Sequence, residues 1–376
     1  MHLTLSTEEL SAWVRLSLEP GLGPAQARSL LAAIGLPQDI YAMSAIGLGK
    51  FLPDNLARQL KQTASDEVQE AIHNTLLWLE HPHHHLLTLA DPGYPRALLD
   101  THDPPILLYA NGNLNLLAKP IISIVGARSA SAGGMDNARA FARYLAEQGW
   151  CIASGLALGI DTAAHEGALQ AGPAGAGTIA ILGTGIDIVY PARNRDLAHR
   201  IAQDGLLISE FPLGTRALPY QFPKRNRLVA GIARGVLVVE AAKQSGSLIT
   251  ARLASEIGKE VFAIPGSIHS PLSRGCHALI RQGAKLVESG QDILEELGSS
   301  GAEISAPGQS PRQARQKPAA DANGLLVLEA LGYDPVHLDT LQERSGLDVA
   351  TLTARLLDFE LQEVVARLDD GRYQRR

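Results

Sequence analysis

The chain has 376 residues, of which 45% are hydrophobic and 19% charged, a balance that excludes a disordered or fibrous polypeptide and leaves room for two or three domains. Two cysteines, Cys151 and Cys276, make no disulfide framework and suit a reducing cytoplasm. The formal net charge of −6 reads at first sight against a nucleic-acid partner. No basic n-region opens the chain, and no apolar run approaches the ~18–20 residues of a membrane helix, so neither a signal peptide nor a membrane partner is expected.

Residues 1–80 read as a small helical domain. Apolar spacing of three and four predicts helices over Leu10–Leu18, Pro24–Ile34 and Leu56–Leu79. Pro20-Gly21-Leu22-Gly23-Pro24 joins the first two and has two readings. It is either the turn of a helix-hairpin-helix or SAM-like unit, whose glycines let a phosphate reach helix-start amides, or a plain tight turn. His81-Pro82-His83-His84-His85 is expected to be a solvated loop, because adjacent histidines do not converge on one ion and no cysteine or carboxylate cluster stands near.

Residues 81–298 form the main domain, with a core at about 120–290. Short β-branched runs at Ile121–Val125, Cys151–Ser154, Thr178–Leu182, Gly205–Glu210, Gly235–Glu240 and Val261–Ile264 alternate with helical stretches such as Met135–Gln148 and Asp161–Ala171. Continuous apolar strands alternating with helices predict a Rossmann-like, mostly parallel α/β sheet covered on both faces, with ligands beyond the carboxyl ends of its strands. Residues 299–323 carry almost no large apolar side chain and read as a flexible linker. In 324–376, helices at Leu325–Leu331, Leu338–Arg344 and Val349–Leu361 precede a hairpin around Asp369-Asp370-Gly371, which together make a winged helix.

The chemistry gathers at the strand ends. After the first strand, Gly126 and Arg128 lead to Ser131 at a helix start, where a guanidinium and amides can hold a phosphate. After the second, Ser154-Gly155 permits close approach, and Asp161 suits a helix N-cap one turn from His165, with which it is expected to pair. After the fifth, Lys243 precedes Ser245-Gly246-Ser247 and Thr250, a glycine-bearing nest at a helix start. Phe222-Pro223-Lys224-Arg225-Asn226-Arg227 reads as a basic segment with an aromatic, suited to backbone phosphates and base stacking. Between Arg216 and Arg234 five cations occur with no acid, and the flanking regions carry the negative balance, so the middle domain is free to attract phosphate.

These motifs, in order from Ser123-Ile-Val-Gly-Ala-Arg128 through Ser154-Gly-Leu-Ala-Leu-Gly-Ile-Asp161, Gly183-Thr-Gly-Ile-Asp187 with Tyr190-Pro191, Phe222–Arg227, Ser245–Thr250 and Phe262-Ala-Ile-Pro-Gly266, resemble the DNA-processing protein A family (DprA/Smf). The resemblance implies a non-catalytic, cytoplasmic homodimer. Such a protein binds single-stranded DNA and helps load a RecA-class recombinase onto it in natural transformation and recombination. Single-stranded-DNA-binding protein is a further partner, and no cofactor or metal is implied. It places Gly126, Arg128, Ser131, Ser154, Gly155, Lys224, Arg225, Asn226, Arg227, Lys243, Ser245, Gly246, Ser247 and Thr250 at the DNA. Two departures stand out: Gly133 where the family often has an aromatic, and Asp358 and Glu360 beside Arg355 in the would-be recognition helix. A nucleotide or phosphoribosyl hydrolase on a related Rossmann variant is the alternative. It would need a Pro-Gly-Gly-x-Gly-Thr turn and a following Glu, but no acid follows Ser245–Thr250 until Glu256. A dinucleotide oxidoreductase needs a tighter glycine fingerprint than any strand end here provides.

Overall fold

The computed structural model describes residues 5–298, 322–332, 334–368 and 370–375. The expected linker, 299–323, falls almost wholly outside them. Six helices open the described chain: α1 (Thr7–Leu18), α2 (Pro24–Ile34), α3 (Pro37–Ala42), α4 (Ala45–Leu48), α5 (Asp54–Gln59) and α6 (Asp66–Trp78). Side-chain capping fixes several starts. Ser6 and Glu9 form a reciprocal capping box on α1, and Ser65 caps α6. The run expected as one helix over Leu56–Leu79 is two: α5 stops at Gln59, and Ser65 caps a new start at Asp66.

The main domain follows as β1 (His84–Thr88), β2 (Leu107–Gly112), β3 (Ile121–Val125), α7 (Ala132–Glu147), β4 (Cys151–Ser154), α8 (Ile160–Gln170), β5 (Thr178–Ile181), α9 (Arg195–Asp204), β6 (Leu206–Ser209), α10 (Gln221–Ile232), β7 (Gly235–Val238), α11 (Gly246–Glu256), β8 (Glu260–Ala263), α12 (Arg274–Arg281), β9 (Lys285–Leu286) and α13 (Gly290–Leu297). Among the described residues the strands form one nine-stranded sheet in the order β1-β2-β6-β5-β4-β3-β7-β8-β9. The run from β6 to β9 is parallel, and β1 and β2 add an antiparallel edge. That edge was not anticipated. His84 and His85, expected in a loop, start β1, where His84 stacks on Trp78 with ring centroids 4.1 Å apart.

The parallel strands β3 to β7 are buried on both faces, as their unbroken apolar sequences require, while β9 at the edge is exposed. Ile122, Ile124, Ile152 and Leu237 pack with α7, α8 and α13, while Val125, Ala153, Ile181 and Val238 face α10, α11 and α12. Leu279 and Cys276 of α12 belong to this second core. The N-terminal helices pack on β2 and α9 in a third cluster. Strand order reverses at β3, with β4 on one side and β7 on the other. Chain crossovers therefore leave β3 and β7 in opposite directions, opening a crevice above their carboxyl ends.

The C-terminal unit holds α14 (Ala322–Leu331), α15 (Leu338–Ser345), α16 (Val349–Leu361) and the hairpin β10 (Val365–Arg367) and β11 (Tyr373–Arg375) around its own core of Val327, Leu341, Leu352, Leu356 and Phe359. It is a winged helix, as the sequence predicted.

Leu237 sits in the middle of the sheet with no exposed surface. Leu237→Ala should cost about 2–5 kcal/mol of stability, read by urea unfolding. A loss below about 1 kcal/mol would mean that this layer collapses around the gap.

Candidate nucleic-acid interface

The turns after β3, β4 and β7 meet above the crevice and, with the start of α10, enclose a cleft of about 700 Å³. Of the expected site residues, Gly126, Arg128, Arg225, Asn226, Ser245, Gly246, Ser247 and Thr250 line it together. Ser131, Ser154, Gly155, Lys224, Arg227 and Lys243 are not among its lining residues.

Helix geometry explains much of that division. The Phe222–Arg227 segment, read from sequence as a basic stretch with an aromatic and given no helix, is the first half of α10. A helix turns 100° per residue, so its three cations cannot share a face. Phe222 and Asn226, four apart, face the cleft. Lys224 and Arg227, three apart, face away. Arg227 is ion-paired to Glu210, Lys224 lies 3.8 Å from the same carboxylate, and Arg227 also reaches Asp103 at 3.9 Å. Burial pushes the Glu210 carboxyl up, and the opposing pull comes first from Arg227. These cations join α10 to the N-terminal side of the molecule, since Arg28 of α2 also pairs with Asp103.

Arg225 turns inward. Only 4% of it is exposed, and its guanidinium donates to the carbonyls of Gly155 and Ile181 at the ends of β4 and β5. It reaches them because Gly155 has no side chain; an added Cβ would overlap the guanidinium. Burial pushes Arg225 down to about 10, with Asp161 pulling the other way and Arg128 adding to the drop, so it stays a cation at neutral pH. Asp161 does not cap α8, whose N-cap is Gly159. Its carboxylate accepts from the amides of Gly155 at 3.1 Å and Ala157 at 3.2 Å and so shapes the loop. Burial pushes the Asp161 carboxyl up, and Arg225 leads the opposition. His165 pairs with Thr178, Nδ1 to Oγ1 at 2.7 Å, rather than with Asp161.

The helix start after β3 is already occupied. Glu240, two residues beyond β7, accepts from the Ser131 amide at 2.9 Å and its hydroxyl at 2.6 Å, while Ser131 Oγ caps α7 through Gly134 N. A carboxylate is thus the anion on the α7 dipole, and Ser131 is a cap rather than a cleft donor. Ser154 is wholly buried and donates to Ile124 O at 2.7 Å. Lys243 is exposed beside a neighbouring hollow that Lys259 and Leu279 also line.

What the cleft does present is one exposed cation, two rings and an open helix start. Arg128 lies 5.7 Å from the Phe222 ring centroid, and Tyr190 packs 5.4 Å from the same ring. Ser245 caps α11, and nothing lies within 4 Å of where a Cβ at Gly246 would stand. Asp161 is the one carboxylate among the described lining residues. Such a surface can hold a phosphate by guanidinium and backbone amide and stack a flat ring beside it. Tyr190 and Gln244 also line it and were not assigned from sequence; the aromatic after the Gly183–Asp187 turn was the available signal for Tyr190.

The N-terminal glycine turn presents a different picture. The Gly23 N–H is already used, since it donates to Gln26 Oε1 at 3.1 Å, and Arg28 is taken by Asp103. That favours the plain turn over a phosphate-holding hairpin. Gly133, where an aromatic was expected, abuts the wing: an added Cβ would lie 3.2 Å from Gln374 Nε2. In α16, Arg355 pairs with Asp358 at 3.3 Å.

Comparison with known proteins gives consistent matches. A family described as DNA recombination-mediator protein A matches residues 85–298, and one described as the DprA winged helix domain matches 311–371. Protein Smf of Escherichia coli is 41% identical over 81% of this chain and 80% of its own length. DNA processing protein DprA of Streptococcus pneumoniae is 49% identical over 56% of this chain and 73% of its own. The solved structure of the Streptococcus pneumoniae protein superposes with a TM-score of 0.60 at 37% identity, covering 78% of this chain and 99% of that one. A Helicobacter pylori DNA processing protein A, whose structure was described for its single-stranded DNA binding mode, gives a TM-score of 0.52 at 32% identity over 58% of this chain and 96% of its own.

Two predictions concern the buried groups. Asp161→Asn leaves Arg225 as an uncompensated buried charge and should cost about 3–5 kcal/mol in urea unfolding; a loss under about 1 kcal/mol would show that carbonyls alone suffice. His165 is wholly buried, and burial, then Arg225, pushes its pKa down from 6.5 to about 3. The unfolded chain therefore binds a proton that the folded chain refuses. Stability should fall as pH drops from about 6.5 towards 3, and His165→Gln should flatten that slope. An equal slope in both proteins would remove His165 as its source.

Proposed function

The chain belongs to the DNA recombination-mediator protein A family, and from that premise we propose that its cleft binds single-stranded DNA without catalysis. In this reading the protein helps load a RecA-class recombinase onto the bound strand. It acts as a cytoplasmic homodimer in natural transformation and recombination, with single-stranded-DNA-binding protein as a further partner. One observation carries the reading. The crevice at the strand-order reversal presents an exposed arginine with no carboxylate partner among the described residues, beside two rings and an open helix start. That set suits a repeating phosphate–base ligand, because it offers one cation and one stacking surface side by side. The Helicobacter pylori relative, described for its single-stranded DNA binding mode, supports the same ligand here.

The hydrolase alternative finds little support. It needs an acid–base pair open to substrate. Asp161 is 7% exposed and committed to loop amides, and His165 has no exposed surface. The described residues contain no group of three His, Cys, Asp or Glu able to hold a metal, and no helix long and apolar enough to cross a membrane.

Fluorescence anisotropy with oligo-dT tests this reading. Arg128→Ala should weaken binding by about 1.5–3 kcal/mol and lower the salt slope by about 0.7, the loss of one phosphate contact on a single strand. Phe222→Ala should cost about 1–3 kcal/mol with an unchanged salt slope, since stacking releases no counterions. Unchanged affinity in both variants overturns the assignment.

A further inference from the structure

A second cleft, of about 430 Å³, lies across the Leu156–Gly159 turn from the first. One turn walls both. Ala157 and Asp161 face the first cleft, while Leu158, Gly159 and Thr162 face the second. The turn is held from the second side by Asn194, 5% exposed, whose amide donates to Leu156 O at 2.8 Å, Ala157 O at 3.2 Å and Thr162 Oγ1 at 2.9 Å. Gly159, at φ +75°, sits directly against the Arg128 backbone; an added Cβ would be 2.5 Å from Arg128 O. The loop that carries the free cation of the first cleft therefore rests on the wall of the second.

The second cleft carries arginines of two kinds. Arg139 is committed, to Asp136 at 3.1 Å and Glu166 at 3.0 Å. Arg193 and Arg200 are exposed, and their side chains make no ion pair or hydrogen bond with any described residue. Arg193 lies in the short 3-10 turn Ala192–Asn194 that leads into α9, Arg200 lies in α9 itself, and both line the same cleft. With Glu166 taken by Arg139, the two free guanidiniums outweigh the one remaining lining carboxylate, Asp196. Isolated surface arginines are ordinarily just solvated. These two differ in their position: they continue a cleft wall that Arg128 begins.

We propose that this cleft is a second phosphate subsite, taking the stretch of single strand that leaves the first. The strand runs from Arg128 over the Ala157–Gly159 turn and onto Arg193 and Arg200, which neutralise its phosphates as an electrostatic groove does. The inference rests on the single-stranded-DNA reading of the first cleft and adds a length dependence to it. An oligonucleotide confined to the first cleft does not reach the two arginines, whereas a longer one does. Both side chains are exposed and unpartnered, so their removal leaves the fold intact.

Full-length wild type, Arg193→Ala/Arg200→Ala and Arg128→Ala are compared by anisotropy on oligo-dT of about 6 and about 20 nucleotides, over a salt series. The double variant is expected to match wild type on the short strand. On the long strand it should bind about tenfold more weakly, with a salt slope lower by about 1.4, two phosphates' worth. Wild-type affinity and slope on the long strand, with Arg128→Ala weakened on both lengths, would overturn the second subsite and leave the first standing. Equal weakening of the double variant on both lengths would also overturn it, because the effect would then be a general loss of positive field. If Arg128→Ala matches wild type on both lengths, the first-cleft reading fails and this inference fails with it.

Discussion

The crevice depends on one buried cation. Arg225 leaves α10, passes beneath the loop after β4 and donates to the last carbonyls of β4 and β5, so it holds two neighbouring strand ends and a helix in one arrangement. A guanidinium without surrounding water is tolerated only if its charge is matched, and Asp161 supplies the match while binding the loop amides itself. The chain of consequences is strict. Gly155 must lack a side chain to admit the guanidinium, Asp161 must be in place to balance it, and the loop that Asp161 shapes then forms the wall shared by the two clefts. Residues that look like ligand contacts in the sequence are here the frame on which ligand contacts are mounted.

The same reasoning sorts the remaining cations. A net charge of −6 does not repel a polyanion if the few unpaired cations are gathered and the acids are spent on partners. Glu210 is spent on Arg227 and Lys224, Asp103 on Arg28 and Arg227, and Glu240 on the α7 start. Among the described residues, the exposed cations that line the two clefts without an ion pair are Arg128 and, across the turn, Arg193 and Arg200, and Lys243 is exposed beside a neighbouring hollow. The cation-rich stretch from Arg216 to Arg234 therefore overstates the local field as a string of letters. Three of its five cations, Lys224, Arg225 and Arg227, serve cohesion between α10, the sheet ends and the N-terminal helices.

Fold and site differ in how legible they were. Parallel strands buried on both faces leave unbroken apolar runs, so β3 to β8 could be read within a residue or two, α7, α8 and the winged-helix elements within three, while α9 was not read at all. β1 and the two-residue β9 at the edges were missed because an edge strand has less to bury and β1 begins with histidines, and β2, though buried, was missed because its run ends in Asn111-Gly112, which reads as a turn. At the site, the glycine turns were legible since close approach demands them. The division of Phe222–Arg227 was not, because it follows from helical phase, and Pro223 at the third position of α10 disguises a helix start as a loop. Glu240 was visible only as the end of a strand. Its role depends on the parallel β3–β7 pairing, which brings it to Ser131 across 109 residues of sequence.

That last contact bears on how the two helix starts at the crevice differ. Both α7 and α11 begin with a serine cap and have glycine in the first turn. A helix start attracts whichever anion is nearest. At α7 the nearest anion is covalently part of the chain: Glu240 fills the position, and Gly134 has no Cβ because one would overlap that carboxylate. At α11 the Gly246 position opens onto the cleft. A phosphate would have to displace a glutamate at the first, whereas no described side chain fills the Gly246 position at the second. In the proposed reading, a phosphate would be drawn to the α11 side of β3, with Arg128 and the rings of Phe222 and Tyr190 opposite, and the strand would leave past Ala157, towards the arginines of the second cleft.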